Sequence, residues 1–504
     1  MADSPNHRID GPTAIAAGIS LLIFAYVAIR AATLCITVDE ALTYNWHVTG
    51  GWWQIVMFRT PGLPDNNHVL FTLLSKISVM LFGLTELTLR LPSLLGSMCY
   101  LVGLNLCLRR IVPGWRQVVG VLAVGLSPYV VDFLGLARGY GLGLGFTMLG
   151  LAALLSSLTG TPGKVRATTA LSSLLLFALA ALSNLSFLLV LGAAMIIIAL
   201  FLAWSWVAAR SVTDSAESPW LLLVKIFVPV VPIIAYLAIP LGIIQKGKLF
   251  DMGGHNGFWE DTVISLFYGT VYNSPWLLEL DSLLLEWIMV AALFVPVALV
   301  VLSRSDKRKF AVFSVLAGMT ATVILESIAQ NSLMHVAFLH GRRGIYLIPL
   351  FLLTVLALGD PPRGVSRWFS ALALTIGLLV PAVFAVNGLT SMNFHYIFDW
   401  NEYGGTRAAM AAVKESIQRE KLDVPVLMRA NWLLEPSMSF YRRSMGLETL
   451  LYPVRQGGLD GPADFYYGYA RDEGTMTKYG ARPLLRQPGS GTLLFERTGK
   501  ESRQ

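Results

Sequence analysis

Thr37-Val38-Asp39-Glu40-Ala41-Leu42-Thr43-Tyr44, followed by Pro64-Asp65-Asn66-Asn67-His68-Val69-Leu70-Phe71, is the stretch that decides how this chain is read. Two adjacent acids stand just past an apolar run over residues 13–34. Carboxylates at the lip of a membrane helix are expensive to desolvate, so their presence there points to a function. The intervening residues 35–66 read as a loop, with Gly50-Gly51-Trp52-Trp53 opening a short amphipathic piece up to Phe58. Paired tryptophans favour the membrane interface.

The surrounding chain fits that setting. Of its 504 residues 55% are hydrophobic and only 14% charged, with a mean hydropathy of +0.61. Soluble domains carry roughly 25% charged residues. Apolar runs expected to cross the bilayer cover about 13–34, 88–108, 117–136, 139–159, 167–183, 186–207, 220–243, 283–303, 310–331, 343–359 and 368–390. The fold class is therefore an α-helical polytopic membrane protein of about eleven spans, with interfacial helices in its first outer loop. The net charge of +7 reflects basic residues in short cytoplasmic loops and implies no nucleic-acid partner.

Residues 69–83 settle the orientation. The run is short for a span and holds Lys76 at its middle. Read as an interfacial helix, it leaves Arg109, Arg110, Arg116, Lys164, Arg166, Arg210 and Arg304 to Lys309 on the cytoplasmic side, as the charge rule prefers. The N-terminus then lies in the cytoplasm and the C-terminus outside. Residues 1–390 form the membrane domain. Residues 391–504 turn polar and read as a small α/β domain outside the membrane, with a helix over 405–419 and strands at 424–428 and 492–496. Residues 244–282 form a long outer loop, whose glycines and aromatics suit a mobile cover.

Several apparent motifs carry no chemistry. Gly139, Gly141, Gly143, Gly145 and Gly150 never satisfy Gly-x-Gly-x-x-Gly, and small residues in a span serve close helix packing. Gly163-Lys164 is followed by Val165, so it is no phosphate loop. Cys35, Cys99 and Cys107 match no zinc or redox spacing. The pairs His335/His340 and His255/Glu260 lack the i, i+4 spacing of a helical metal site. No cofactor is expected, with a divalent metal as the lesser alternative.

Three sets of residues remain. Asp39 and Glu40 are the candidate catalytic carboxylates, Asp39 as general base toward a hydroxyl. Asp65, Asn66, Asn67 and His68 precede the interfacial helix; one or two of them would cap it, and His68 would donate to a substrate or phosphate. Arg138, Arg342 and Arg343 fall on the outer side, against the charge rule. A guanidinium matches phosphate oxygens with a planar fork of donors, although snorkelling to headgroups would also place it there. Arg90 is expected to pair with Glu86 one helical turn away.

These elements recur in a familiar order. Asp39-Glu40, Asn67-His68, a short helix ending Leu81-Phe82-Gly83, Glu86-x-x-x-Arg90-Leu-Pro-Ser, Ser127-Pro128 and Ala137-Arg138-x-Tyr140 together resemble the GT-C membrane glycosyltransferases, in particular the bacterial branch related to protein O-mannosyltransferases and the lipid A aminoarabinose transferase. The resemblance covers roughly residues 10–160 well and is looser to 390. It implies a polyprenyl-phosphate sugar donor, a glycan, lipid or protein acceptor, and a place in the bacterial inner membrane. It puts the catalytic acid on Asp39 and substrate contacts on Asn67, His68, Arg138 and Tyr140. The Pro-Pro usual after the histidine is replaced by Val69-Leu70, and the second acid of some members is absent, Gly139-Tyr140 standing there. The chemistry also follows from the residues: Arg138, Arg342 and Arg343 oppose a lipid-phosphate leaving group while Asp39 deprotonates an acceptor hydroxyl. Rival readings are a flippase or transporter of lipid-linked sugars, which needs polar groups deep in its spans where only Asn105 and Glu326 stand out, and a polysaccharide ligase or polymerase with a diphosphate-linked donor.

Overall fold

A computed structural model describes residues 10–158, 165–209, 218–247, 253–279, 295, 297–298, 300–301, 306–362, 365–421, 425–453 and 458–497. Most of the expected span 283–303, Gly163-Lys164, Lys248, Arg210 and Arg304, and the first residue of the strand expected at 424, lie outside them. The chain divides into two compact units: Met1–Ala28, Ser93–Gly135 and Gly139–Met392 in the first; Ile29–Pro92, Leu136–Arg138 and Asn393–Gln504 in the second. The polar tail from residue 393 falls in the second unit. The second unit also takes in the first outer loop and a three-residue insert that carries Arg138.

Seven helices among the described residues are long and apolar enough to cross a membrane: Gly11–Thr33, Glu86–Ile111, Tyr140–Leu158, Leu185–Val207, Trp220–Lys246, Lys307–Met334 and Arg367–Thr390. The run expected at 117–136 is two helices, Arg116–Gly125 and Pro128–Leu134, bent by 64°. The break follows from Pro128, which lacks an N–H and holds Ser127 in an extended conformation (φ −51°, ψ 118°). Ala167–Ser183 and Leu347–Leu358 are shorter apolar helices at two further expected positions. Val69–Phe82 has 14 residues and ends at Gly83 with φ +79°. At about 1.5 Å per residue it is some 21 Å long, short of the ~30 Å hydrocarbon core.

In the first unit, Gly141 and Gly145 of Tyr140–Leu158 sit where helices touch backbone to backbone, while Gly143 and Gly150 make room for the Phe187 and Phe177 rings. A Cβ on Gly145 would stand 2.2 Å from the Gly96 carbonyl oxygen, and one on Gly96 would stand 2.3 Å from that of Gly141. This is the close approach that small residues allow. The outer segment expected to be a mobile cover is built into the fold. Asp261 is buried, and its carboxylate accepts from the backbone N–H groups of Asn256 (2.8 Å) and Gly257 (3.0 Å). Gly254 bridges Phe338 in antiparallel fashion. Helical turns Trp259–Ile264, Ser265–Val271 and Pro275–Leu278 follow.

In the second unit, the polar tail forms a four-stranded sheet. Strands β1 (Met428–Ala430), β2 (Phe465–Tyr469), β3 (Ala481–Gln487) and β4 (Thr492–Arg497) are ordered β1-β2-β4-β3. β1 and β2 are parallel and the other pairs antiparallel. Thr406–Arg419 is the expected helix and β4 the strand expected at 492–496; β1 begins only at Met428, where the strand expected from 424 was to end, and β2 and β3 were not expected. The tail is tied to the first outer loop by specific bonds. The Tyr441 hydroxyl accepts from the Ile36 N–H (2.9 Å), the Cys35 thiol meets the Gly404 carbonyl (3.0 Å), and Arg407 Nε pairs with Glu86 Oε1 (2.7 Å).

Candidate active site

The first outer loop is helical where a loop was expected. Thr37, extended at φ −82° and ψ 165°, caps Val38–Leu42: its hydroxyl accepts from the Glu40 N–H, and Glu40 Oε2 accepts from the Thr37 N–H (2.9 Å). This capping box, Thr-x-x-Glu, fixes the first turn on which both acids stand. The chain then widens into a π-helix, Thr43–Val48. Lys76 closes its far end by donating to the carbonyls of Val48 (2.9 Å) and Gly50 (2.8 Å), with its ammonium 5.5 Å from the Trp52 ring centre. A cation at a helix C-terminus satisfies orphan carbonyls and opposes the dipole.

The neighbouring acids have opposite surroundings. Glu40 is fully buried and its oxygens are occupied. Oε1 accepts from Arg90 Nε (2.7 Å) and the Ala137 N–H (2.7 Å), and Oε2 from Arg90 Nη2 (2.8 Å) as well as Thr37. Arg90 is fully buried too. Its remaining donors go to the carbonyls of Ala31 (2.9 Å), Leu34 (2.8 Å) and Cys35 (2.9 Å), around the C-terminal end of the first helix. All five guanidinium N–H groups are thereby used. The expected Arg90–Glu86 pair is not formed: Glu40 takes Arg90, and Glu86 takes Arg407.

Asp39, one residue earlier, retains 20% of its side-chain exposure and meets Arg138, whose Nη2 lies 3.3 Å from Oδ2. Arg138 stands in the short non-helical link before Gly139, which turns the chain at φ +73°. Its neighbour Ala137 is the residue whose N–H is held by Glu40. The Glu40–Arg90 clamp thus fixes both partners of the Asp39–Arg138 pair, one through the shared helical turn and one through a backbone bond.

The polar cluster before the interfacial helix sorts differently from expectation. Asn66 reaches the acidic turn, with Nδ2 3.4 Å from the Asp39 carbonyl. Asn67 is buried and donates to the Ile55 carbonyl (2.8 Å). His68 takes the N-cap position of Val69–Phe82 but its side chain makes no capping bond, so none of the four residues caps that helix through its side chain.

His47 has no spacing signal in the sequence, yet it borders the site. It is buried, with Nδ1 2.6 Å from the Thr60 hydroxyl. Burial, together with the Arg138 guanidinium, lowers its pKa to about 4, partly offset by the Leu63 backbone. Between about pH 6.5 and 4 the unfolded chain takes up a proton here that the folded chain refuses. Stability therefore falls as pH drops through that window and levels off below it, by an amount on the order of 3 kcal/mol. His47→Gln is expected to flatten this part of the acid limb, measured as unfolding of the full chain at pH 7 and pH 5. Equal slopes for the two proteins would contradict a buried neutral imidazole.

No family model matches the sequence, and no curated protein does so significantly. The structure is similar to that of ArnT from Cupriavidus metallidurans. In the apo state the TM-score is 0.45 at 13% identity, and bound to undecaprenyl phosphate 0.42 at 14%, each covering 96% of this chain and 97% of ArnT. It is also similar to the arabinosyltransferase EmbB from Mycobacterium smegmatis, with a TM-score of 0.43 at 10% identity, covering 88% of this chain and 44% of EmbB.

The other expected site residues belong to the first unit. Tyr140 is a packed core aromatic, its ring 4.9 Å from that of Phe133 in edge contact. Arg342 and Arg343 are half-buried on a 3-10 turn, Gly341–Gly344, whose Gly341 has φ +53° and donates its N–H to the Ser265 hydroxyl (2.9 Å). Asp132, buried, receives the Tyr272 hydroxyl (3.2 Å). Among the described residues no three of His, Cys, Asp and Glu converge as a metal site would require.

Proposed function

We propose that this chain is an inverting glycosyltransferase that moves a sugar from a polyprenyl-phosphate donor to an acceptor on the outer face of the bacterial cytoplasmic membrane, with its N-terminus in the cytoplasm and its C-terminus outside. The observation that carries this reading is the contrast between the two acids. Glu40 is consumed in a buried clamp, whereas Asp39, on the same turn, keeps part of its side chain exposed and lies 3.3 Å from the Arg138 guanidinium. The ordered motifs shared with GT-C enzymes support the same reading.

The chemistry is one displacement. Asp39 accepts the proton of the acceptor hydroxyl as its oxygen attacks the anomeric carbon. The bond from that carbon to the phosphate oxygen breaks, and the lipid phosphate leaves as the anion. Arg138 orients Asp39 and offers donors to the departing phosphate, and a preorganised donor of this kind is worth about 2.7–4 kcal/mol in comparable sites. Arg342 and Arg343 are assigned to the lipid phosphate as well. Glu40 we assign a positioning role instead of a catalytic one, because its oxygens are already occupied; Tyr140 we assign to packing, and Asn67, whose Nδ2 is held by the Ile55 carbonyl, stays assigned to the substrate through its Oδ1. His47, kept neutral beside Arg138, adds polarity without a second positive charge. A flippase needs polar groups open to substrate deep in its spans; of the two that stand out in the sequence, the Asn105 amide is already bonded to the Ser20 hydroxyl (2.7 Å) and the Leu101 carbonyl (2.8 Å).

The test is transfer by the purified chain. With a labelled polyprenyl-phosphate sugar and a membrane extract as acceptor, label is expected in a product of inverted anomeric configuration, with release of polyprenyl phosphate. Transfer only from a diphosphate-linked donor would favour the ligase reading and overturn this one.

A further inference from the structure

The first unit holds a second cationic site that the reaction does not use. A cavity of about 320 Å³ opens between the C-terminal end of Glu86–Ile111, the N-terminal end of Lys307–Met334 and the residues after Leu347–Leu358. Arg109, Arg110, Arg308 and Lys309 line it with Asp306 and Asp360, a formal excess of two positive charges from four basic and two acidic side chains.

Both carboxylates already have work. Asp306 caps its helix by accepting from the Lys309 N–H (3.2 Å). Asp360 pairs with Lys309 Nζ at 3.1 Å, and the same ammonium donates to the Pro361 carbonyl (3.1 Å). Arg110 is likewise spent on the Leu106 carbonyl (3.0 Å) and the Ser156 hydroxyl (3.1 Å). Arg109 and Arg308 are exposed and make no hydrogen bond or ion pair among the described residues. The cavity floor is apolar, with Val312, Phe313 and Ala357. Two open guanidinium forks above a greasy floor match a phosphate attached to something hydrophobic.

The site is separate from the one assigned to the donor. Arg342 and Arg343 precede the 12-residue helix Leu347–Leu358, and the cavity lies beyond its other end, about 18 Å away along the helix axis. Simple snorkelling would bring Arg109 and Arg308 to any headgroup, but would not require a concave pocket whose acids are already engaged, Asp360 by Lys309 and Asp306 by its helix cap.

We propose that this cavity binds a phosphate-bearing anion, gripped by Arg109 and Arg308, as a basic pocket between membrane helices does for an anionic lipid headgroup. The source is a phospholipid headgroup or free phosphate. The proposal does not rest on the transfer reaction. Binding of dioleoyl phosphatidylglycerol, dioleoyl phosphatidylcholine and inorganic phosphate to the full chain in detergent tests it, by native mass spectrometry and thermal shift. Arg109→Gln with Arg308→Gln is expected to weaken phosphatidylglycerol binding at least tenfold and leave phosphatidylcholine binding unchanged. The same loss seen with inorganic phosphate alone supports the site with free phosphate as its ligand. Equal binding by wild type and variant, in the double change or in both single changes on these exposed side chains, overturns it.

Discussion

Asp39→Asn is expected to reduce sugar transfer by about 10²–10⁴-fold, the usual contribution of a positioned general base, without reducing the amount of folded protein. The amide keeps the shape of the carboxylate but cannot take the proton of an acceptor hydroxyl. Arg138 is buried and Asp39 keeps 20% of its side-chain exposure; the amide oxygen can still accept from the guanidinium, so the stability cost is expected to stay near that of one hydrogen bond to a charged group, about 1.5–3 kcal/mol. The variant also carries a kinetic signature. With Asp39 neutral, Arg138 loses its resident anion and meets the donor phosphate unopposed, so the donor KM stays level or falls while kcat drops. A fall in both kcat and kcat/KM without a rise in KM is what losing a transition-state interaction produces. Retention of more than a tenth of wild-type turnover would remove Asp39 from the proton transfer.

Arg90→Ala is expected to act on the other half of the turn and on folding instead of chemistry. It leaves Glu40 as a buried, unpaired charge and frees the carbonyls of Ala31, Leu34 and Cys35. Removing one partner of a buried pair costs about 3–5 kcal/mol, a large share of a typical protein's stability. The expected readout is a marked loss of monodisperse protein after detergent extraction, with any surviving fraction melting well below wild type. Replacing both partners with apolar residues, Glu40→Leu with Arg90→Met, is expected to recover only part of this, because Glu40 also holds the N–H groups of Thr37 and Ala137. A wild-type melting temperature for Arg90→Ala would show the clamp to be dispensable.

The chain announced Asp39 and Arg138 because each breaks a rule that needs no partner to be seen. One is a carboxylate at the end of an apolar run; the other is a guanidinium on the side where the charge rule disfavours it. The structure places the two 3.3 Å apart. The division of labour between Asp39 and Glu40 was not legible. The partner of Glu40 is 50 residues away, and Glu86, one turn from Arg90, was the nearer candidate on local spacing. That Asn66, at the end of the 3-10 turn Pro64–Asn66, is the residue to reach the Asp39 carbonyl turns on a single position, below what a polar cluster in sequence resolves. Hydropathy placed the long spans but not the 64° break at Ser127-Pro128, because apolar composition continues across it. β2, Phe-Tyr-Tyr-Gly-Tyr, is buried at every position and so lacks the alternation that marks a half-exposed strand.

The bonds from Tyr441 to Ile36, Arg407 to Glu86 and Cys35 to Gly404 make the polar tail and the acidic loop inseparable parts of one folded body. A cut at residue 392 would not release an accessory module; it would remove the partners of Cys35, Ile36 and Glu86, on the segments that flank the Asp39 turn. Chimeras that exchange this tail between related chains should therefore trade the loop of residues 29–92 with it, and any change of acceptor preference would be inherited by the two segments as a block.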